Sequence, residues 1–422
     1  MAFFPVLSLN AQMSGNYASP TESNEIIERI DSLMNLDIFS ETLAVSDQQS
    51  GITLTTADSV PVYPDMFYEF KLERLNRLTP VELFFNEDVK KYINIFLVER
   101  REEMARVIGL SELYFPLFEE YLDRAGLPLE LKYLPIVESG LNPLAKSSSG
   151  AVGLWQFLLN AGKMFDLEIN SYIDQRSDPY LSTKAACRYL NYLYNVFGDW
   201  QLVLAAYNGG PGVVRNAIER SGGKTTYLEL RDYLPEQTRN YVPAFIAVNY
   251  VMNYYKLHNI HPVKADFTFR DIDTLMVRHS LSLVQVASGL NISYDEIRFL
   301  NPAYKTGYIP EMDKPAVLVL PKEKIPEFLS QQDKLASSKP EEYNYFTMLD
   351  NAGSIANRIK ITHTVQAGDF FHKIAMEYNC TMENIKAWNH LTDNNLFPGQ
   401  ILDIWVTPEE YRKLSSRKNR SQ

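Results

Sequence analysis

Along "NEDVKKYINIFLVERREEMARVI" the apolar side chains return every three or four residues. This spacing places Val89, Ile93, Ile95, Phe96 and Val98 near one face, with the charges opposite, and predicts an amphipathic helix. "SELYFPLFEEYLDRAGLP" follows with the same spacing and is stopped by Gly126 and Pro128. From 128 to 258 nearly every segment keeps the helical period. In "SDPYLSTKAACRYLNYLYNVFG", Asp178 is placed to cap a helix, Pro179 to open it and Gly198 to close it. Its apolar positions are Leu181, Ala185, Tyr189, Leu190, Leu193 and Phe197. The pattern predicts a mainly α domain.

After residue 261 the texture changes to short β-like and helical pieces. "VASGLNISYDEIRFLN" (286–301) matches "IAMEYNCTMENIKAWN" (374–389) at a constant shift, a weak internal repeat of two small modules. Between the copies, "QQDKLASSKPEEYN" is polar and contains Ser and Pro, as linkers do. Residues 12–64 are polar and mixed, apart from the amphipathic "ESNEIIERIDSLMNL", and read as an arm laid over a larger domain. The expected organisation is therefore an arm over 12–64, a helical domain over 65–258, small modules over 262–325 and 361–407, a linker over 326–360 and a basic tail over 408–422.

A chain of 422 residues suggests two to four domains. Its net charge of −11 argues against nucleic-acid binding, since phosphate recognition needs a basic face and the one compact basic run ends the chain. The 26 Tyr, 22 Phe and 4 Trp stand out; such rings fill a core, and surplus Tyr and Trp also suit stacking on flat ligand faces. Cys187 and Cys380 fall in different expected domains, so neither a structural disulfide nor a metal-ligand set is expected, and no cofactor is implied. His258 and His261 form "HNIH" without an HExxH pattern. The opening "MAFFPVLSLNAQ" is apolar with a small-residue ending, too short to span a bilayer and without a charged leading region. Residues 1–11 read as the remnant of a secretory signal, the alternative being a buried N-terminal strand. Gln12 follows Ala11, so no lipid-attachment cysteine stands there, and an exported, monomeric protein of the periplasm or cell envelope without a membrane span is expected.

The chemistry centres on "YLPIVESGLNP". Glu138 ends an apolar run containing Leu134, Ile136 and Val137, and acidic residues are rarely buried without a partner or a use. Desolvation would raise the carboxyl pKa and make it a proton donor near neutral pH, the role of the acid in glycosidic cleavage. The alternative is a carboxylate that caps or salt-bridges at a helix end. Trp155 and Gln156 in "SSSGAVGLWQF", Tyr207 and Asn208 in "LAAYNGGPGVV", and Tyr241 in "LPEQTRNYVPAF" add aromatics and amides, the equipment of a sugar cleft.

In this order and spacing, "ELKYLPIVESGLNPLAKSSSGAVGLWQF", "DPYLSTKAACRYL", "FGDWQLVLAAYNGGPG" and "LPEQTRNYVPAF" resemble the lytic murein transglycosylases of glycoside hydrolase family 23. The resemblance runs from about 65 to 258. It implies a goose-lysozyme-like helical domain, with Glu138 as the catalytic acid and Ser139, Gln156, Tyr207, Asn208 and Tyr241 lining the cleft. One departure is plain: where the family continues with Met-Pro and then Thr, this chain has Leu158, Leu159 and Ala161. The family needs no second carboxylate. The N-acetyl carbonyl of N-acetylmuramic acid stabilises C1, and the 6-hydroxyl, deprotonated by the same glutamate, closes a 1,6-anhydro ring. A lysozyme-type hydrolase would need a partner such as Asp166, Asp174 or Asp178, each also readable as a turn or cap residue.

"THTVQAGDFFHKIAMEYNCTMENIKAWNHLTDNNLFPGQILDIWV" (362–406) resembles a LysM domain. The resemblance implies binding of N-acetylglucosamine-containing glycans, with Gly368, Asp369, Phe370, Asn389 and residues 390–396 at the groove. The first copy carries Ser280 and Leu281 at the Gly-Asp positions and reads as a degenerate LysM more suited to packing than to binding. Peptidoglycan strands are thus the expected partner. Beside the transglycosylase stand two alternatives, a hydrolase of the same fold and a silent wall-binding scaffold.

Overall fold

The computed structural model of the protein describes residues 60–337, apart from 62, and most of 359–406. The expected signal remnant, nearly all of the arm and all but Tyr411 of the basic tail lie outside the described residues. The chain divides into two compact units, the first ending at Ile272 and the second beginning at Asp273.

The first unit is helical. Helix α1 spans Asp65–Asn76. Helix α2, Glu87–Asn94, is capped by Asn86, whose side chain accepts from the Val89 N–H at 2.9 Å. The expected single helix then breaks its period. Ile95–Glu99 forms a π turn, with Arg100 N–H bonded to Ile95 O, before α3 runs from Arg101 to Arg124. The wider turn shifts the register: Ile95 and Phe96 stay buried with Val89 and Ile93, but Val98, expected on the same face, is 49% exposed.

A short 3₁₀ turn, Leu129–Tyr133, leads into α4, Leu134–Ser139, which carries Glu138. Helix α5 spans Leu159–Met164. Helix α6, Pro179–Phe197, has the ends read from the sequence. The Asp178 carboxylate accepts from Tyr180 and Leu181 N–H, Pro179 opens the helix and left-handed Gly198 closes it. Leu181, expected on the inner face, is exposed in the first turn. Helices α7 (Trp200–Gly209), α8 (Pro211–Arg220) and α9 (Tyr227–Leu230) follow.

Helix α10, Glu236–Tyr254, is the axis of the unit. It is buried without a break from Tyr241 to Val251, as a helix apolar on all sides must be, and packs against α2, α4 and α7. The chain does not leave the helical body at 258. Val263 N–H bonds to Ala105 O at 2.9 Å, and Ala265 and Phe267 are buried, so the strand-like stretch after His258 is part of the same core.

The second unit holds the repeat. In the first copy, β1 (Ile272–Val277) pairs with β4 (Ala316–Pro321), and β2 (Leu281–Ser282) runs antiparallel to β3 (Tyr308–Ile309). Between them lie α11 (Leu283–Leu290) and α12 (Tyr294–Leu300). The linker expected from 326 is not one at its start, because Ile325–Ser337 forms helix α13. Phe328 and Leu335 are buried in it while Leu329 is exposed, and Gln331 donates to Gly289 O as Lys324, just before the helix, does to Leu290 O, so one face of the helix packs on the module.

In the second copy, β5 (Ile359–Thr364) is antiparallel to β6 (Ile401–Val406), with α14 (Phe371–Glu377) and α15 (Met382–Trp388) between them in sequence. The core contains Phe371, Ile374, Ile385, Trp388, Leu402 and Ile404. One asparagine makes the repeat concrete. Asn301 donates to Ile297 O and Val319 O and accepts from Val319 N–H. Asn389 donates to Ile385 O and Asp403 O and accepts from Asp403 N–H. Each amide thus ties the end of the second helix to the last strand. Fold class is mainly α, a helical domain followed by two small α+β modules.

Candidate active site

Helix α4 is six residues long and buried throughout. Pro135 stands in its first turn, and it ends on left-handed Gly140, whose N–H bonds to Ile136 O while that of Leu141 bonds to Pro135 O. This tight ending leaves Glu138 in the last turn, 4% exposed among Leu134, Ile136 and Val137. Glu138 Oε1 accepts a 2.6 Å hydrogen bond from the hydroxyl of Tyr241, 103 residues away on α10 and itself fully buried.

Behind the acid lies the loop 145–157. Ser139 Oγ donates to Pro135 O and to Leu154 O, binding α4 to the loop. Gln156 sits at φ 49° and turns its amide inward, donating to Ala145 O and Gly153 O. Gly153, at φ 85°, leaves no room for a side chain, since a Cβ would fall 1.9 Å from Arg176 O. Trp155 is fully buried with its indole N–H on Thr183 Oγ1. Tyr207 reaches the loop from α7 and donates to Trp155 O at 2.8 Å. Burial holds its phenol well above the usual tyrosine range, and the neighbouring Glu138 charge adds to the shift. Asn208, next in sequence, accepts from Thr238 Oγ1 at 3.1 Å.

Three carboxylates readable as a second catalytic group are committed elsewhere. Asp174 forms a bidentate pair with Arg176 (Nε–Oδ1 2.9 Å, Nη2–Oδ2 2.7 Å), both side chains buried. Arg176 spends Nη1 on Gly150 O and Phe157 O, so the pair staples the middle and the far end of the loop that carries Gln156. Asp178 caps α6, its carboxyl raised by burial against the two backbone N–H groups that lower it. Asp166 is on the surface, paired with Arg188. Among the described residues no group of three His, Cys, Asp or Glu side chains is placed to hold a metal ion.

Glu138, Ser139, Gln156, Tyr207 and Tyr241 therefore meet around one loop and one helix end. The sequence reading left out Arg176 and Thr238. The signal for Thr238 was present, since in "LPEQTRNYVPAF" it lies one helical turn before Tyr241 on the same face. Arg176 had no local signal beyond its Asp two residues earlier.

At the second small module, Gly368 and Phe370 lie outside the described residues, as do 390 and 392–395. Asp369 is tied inward: it accepts from Lys373, from Gln366 N–H and from His363, contacts that hold its carboxyl far below the ordinary carboxylate range, Lys373 first. Asn389, expected at the groove, spends its amide on the backbone clamp described above, because its position at the end of α15 faces β6. In the first copy Leu281, at the position of Asp369, is buried and paired with Ile309.

Three family descriptions match segments of the chain. Residues 116–230 match the transglycosylase SLT domain, 271–337 the LysM-like domain of lytic transglycosylase MltD, and 363–405 the LysM domain. Over 380 residues, 88% of this chain and 80% of the relative, the sequence is 26% identical to membrane-bound lytic murein transglycosylase D of Escherichia coli strain K12. Over 149 residues, 34% of this chain and 23% of the relative, it is 32% identical to the soluble lytic murein transglycosylase of the same strain. The crystal structure of the 70 kDa soluble lytic transglycosylase of Escherichia coli overlaps 42% of this chain and 29% of its own, at a TM-score of 0.32 and 29% identity. The chain thus carries a transglycosylase SLT domain followed by an MltD-type LysM-like domain and a LysM domain, and is similar over most of its length to membrane-bound lytic murein transglycosylase D.

Proposed function

We propose that the protein is a peptidoglycan lytic transglycosylase that cleaves the β-1,4 bond between N-acetylmuramic acid and N-acetylglucosamine and leaves 1,6-anhydro ends. The observation that carries this reading is a buried Glu138 held by the Tyr241 hydroxyl while Asp166, Asp174 and Asp178 are engaged elsewhere. A retaining hydrolase needs a second carboxyl across the sugar, and those three are spent on an ion pair, a staple and a cap.

Glu138 first gives its proton to the glycosidic oxygen, and the N-acetylglucosamine leaves with it. The muramyl acetamido carbonyl stabilises the charge at C1. The 6-hydroxyl then returns a proton to the Glu138 carboxylate as its oxygen bonds to C1, closing the anhydro ring. Tyr241 keeps one carboxyl oxygen fixed through both steps. Ser139, Gln156 and Tyr207 hold the cleft wall by their backbone contacts, and Asn208 faces the sugar.

The LysM domain tethers the enzyme to glycan through Asp369 and residues 390–396, and the first module serves packing. Such a substrate places the enzyme in the cell envelope.

Glu138→Gln tests the acid. The amide cannot donate the proton, so wall cleavage should fall by at least about 10²–10⁴ while circular dichroism and the unfolding midpoint stay near those of the parent. Parent-like turnover in a folded Glu138→Gln protein would remove Glu138 from the reaction.

A further inference from the structure

Helix α10 presents two hydroxyls one turn apart on one face. Tyr241 donates to Glu138, and Thr238 donates to Asn208 Oδ1 at 3.1 Å. Thr238 is 2% exposed, so its hydroxyl has no water to turn to. The chain beside it is equally constrained. Asn208 is followed by Gly209, where an added Cβ would lie 2.6 Å from Thr238 Oγ1. The threonine thus presses on the end of α7 and holds the Asn208–Gly209 pair against α10.

A carboxamide has two ends of nearly equal shape and opposite chemistry, an accepting oxygen and a donating amino group. The threonine hydroxyl occupies the oxygen. Asn208 Nδ2 then has no protein acceptor among the described residues and is not shut away from solvent. It is a donor left for a ligand. Thr238 stands one turn from Tyr241 on the same face of α10, and Tyr241 holds Glu138, so the amide it binds lies on the acid's side of that helix. The complementary group on an acetamido sugar is the carbonyl oxygen of its N-acetyl arm.

We infer that Thr238 is a positioning residue, which locks the Asn208 amide so that its amino group, and not its oxygen, meets the N-acetyl carbonyl of the substrate. The inference rests on the reading of Glu138 as the acid. Without the hydroxyl the amide is free to flip and present oxygen to oxygen, which repels the sugar in place of holding it.

The test is a double-mutant cycle on the full chain, using purified peptidoglycan and following kcat and KM with thermal unfolding beside them. Thr238→Val keeps the shape and removes the donor, and should lower kcat/KM about two- to tenfold, the worth of one neutral hydrogen bond. Thr238→Ser should restore the parent rate. Asn208→Asp still accepts from Thr238 but cannot donate, and should be as poor as Asn208→Ala. In the Asn208→Ala background Thr238→Val should add nothing. Thr238→Ala stands beside the valine in case the branched side chain disturbs Gly209. Equal losses from Thr238→Val with and without Asn208 would make the threonine a packing residue only and overturn the inference, as would a serine variant as poor as valine. An active Glu138→Gln protein would instead overturn the acid, while the cycle would still report on the Thr238–Asn208 pair.

Discussion

Asp174 and Glu138 are both buried carboxyls of the same helical body, and their partners separate their roles. Asp174 faces a guanidinium that also holds two backbone carbonyls, an arrangement that fixes a loop. Glu138 faces a phenol, which steadies one oxygen without neutralising the group by charge. Neither partner could be read from the sequence by local pattern. Tyr241 is 103 residues from Glu138, and such a pairing is made by tertiary packing alone. The family resemblance carried Tyr241 into the expected site, whereas nothing carried Arg176. His258 shows a third use of burial. Fully buried, with Nε2 2.8 Å from Tyr250 Oη and its ring stacked on Tyr68, it titrates at about 4 in place of 6.5, chiefly through burial, then through Arg101, against a backbone contact with Pro61. A base whose folded pKa is depressed takes up its proton more readily in the unfolded chain. Its contribution is complete above pH 6.5 and is lost as pH falls from 6.5 towards 4. Chemical unfolding of the helical unit across that window should show stability falling with acid, and His258→Phe should flatten the slope. An unchanged slope in that variant would assign the acid sensitivity to other groups.

At the scale of elements, the sequence was most legible where a helix announces its own ends. Asp178, Pro179 and Gly198 bound α6 because capping is local chemistry. It was least legible where the period itself changes. The apolar residues through Val98 fit an α-helix, but the π turn at Ile95–Glu99, which packs against α3 and α10, inserts an extra residue and exposes Val98. Helix α13 is a similar case. Its composition is that of a linker, yet Phe328 and Leu335 lie two turns apart on one side of the helix and pack on the first small module. The internal repeat was readable because its asparagine does the same backbone work in both copies. Asn389, expected at the groove from the resemblance, makes that backbone clamp in the structure.

For the whole molecule, the helical body includes the stretch that returns along α3, so a shortened enzyme should end after Ile272 and not at 258. Such a chain should cleave soluble glycan fragments as well as the full protein does, but work less well on intact sacculi, because a tether raises the effective concentration at the wall to the millimolar range, ~1 mM or above. Equal performance on both substrates would show that the small modules do not target the enzyme. The central claim concerns what finishes the reaction, and the mass of the released muropeptides reads it directly. If the muramyl 6-hydroxyl attacks C1, digestion of purified peptidoglycan by the full chain should give fragments with 1,6-anhydro ends, each one water lighter than its hydrolysed counterpart. Reducing-end muropeptides as the main product would show that water is the nucleophile and would contradict the account.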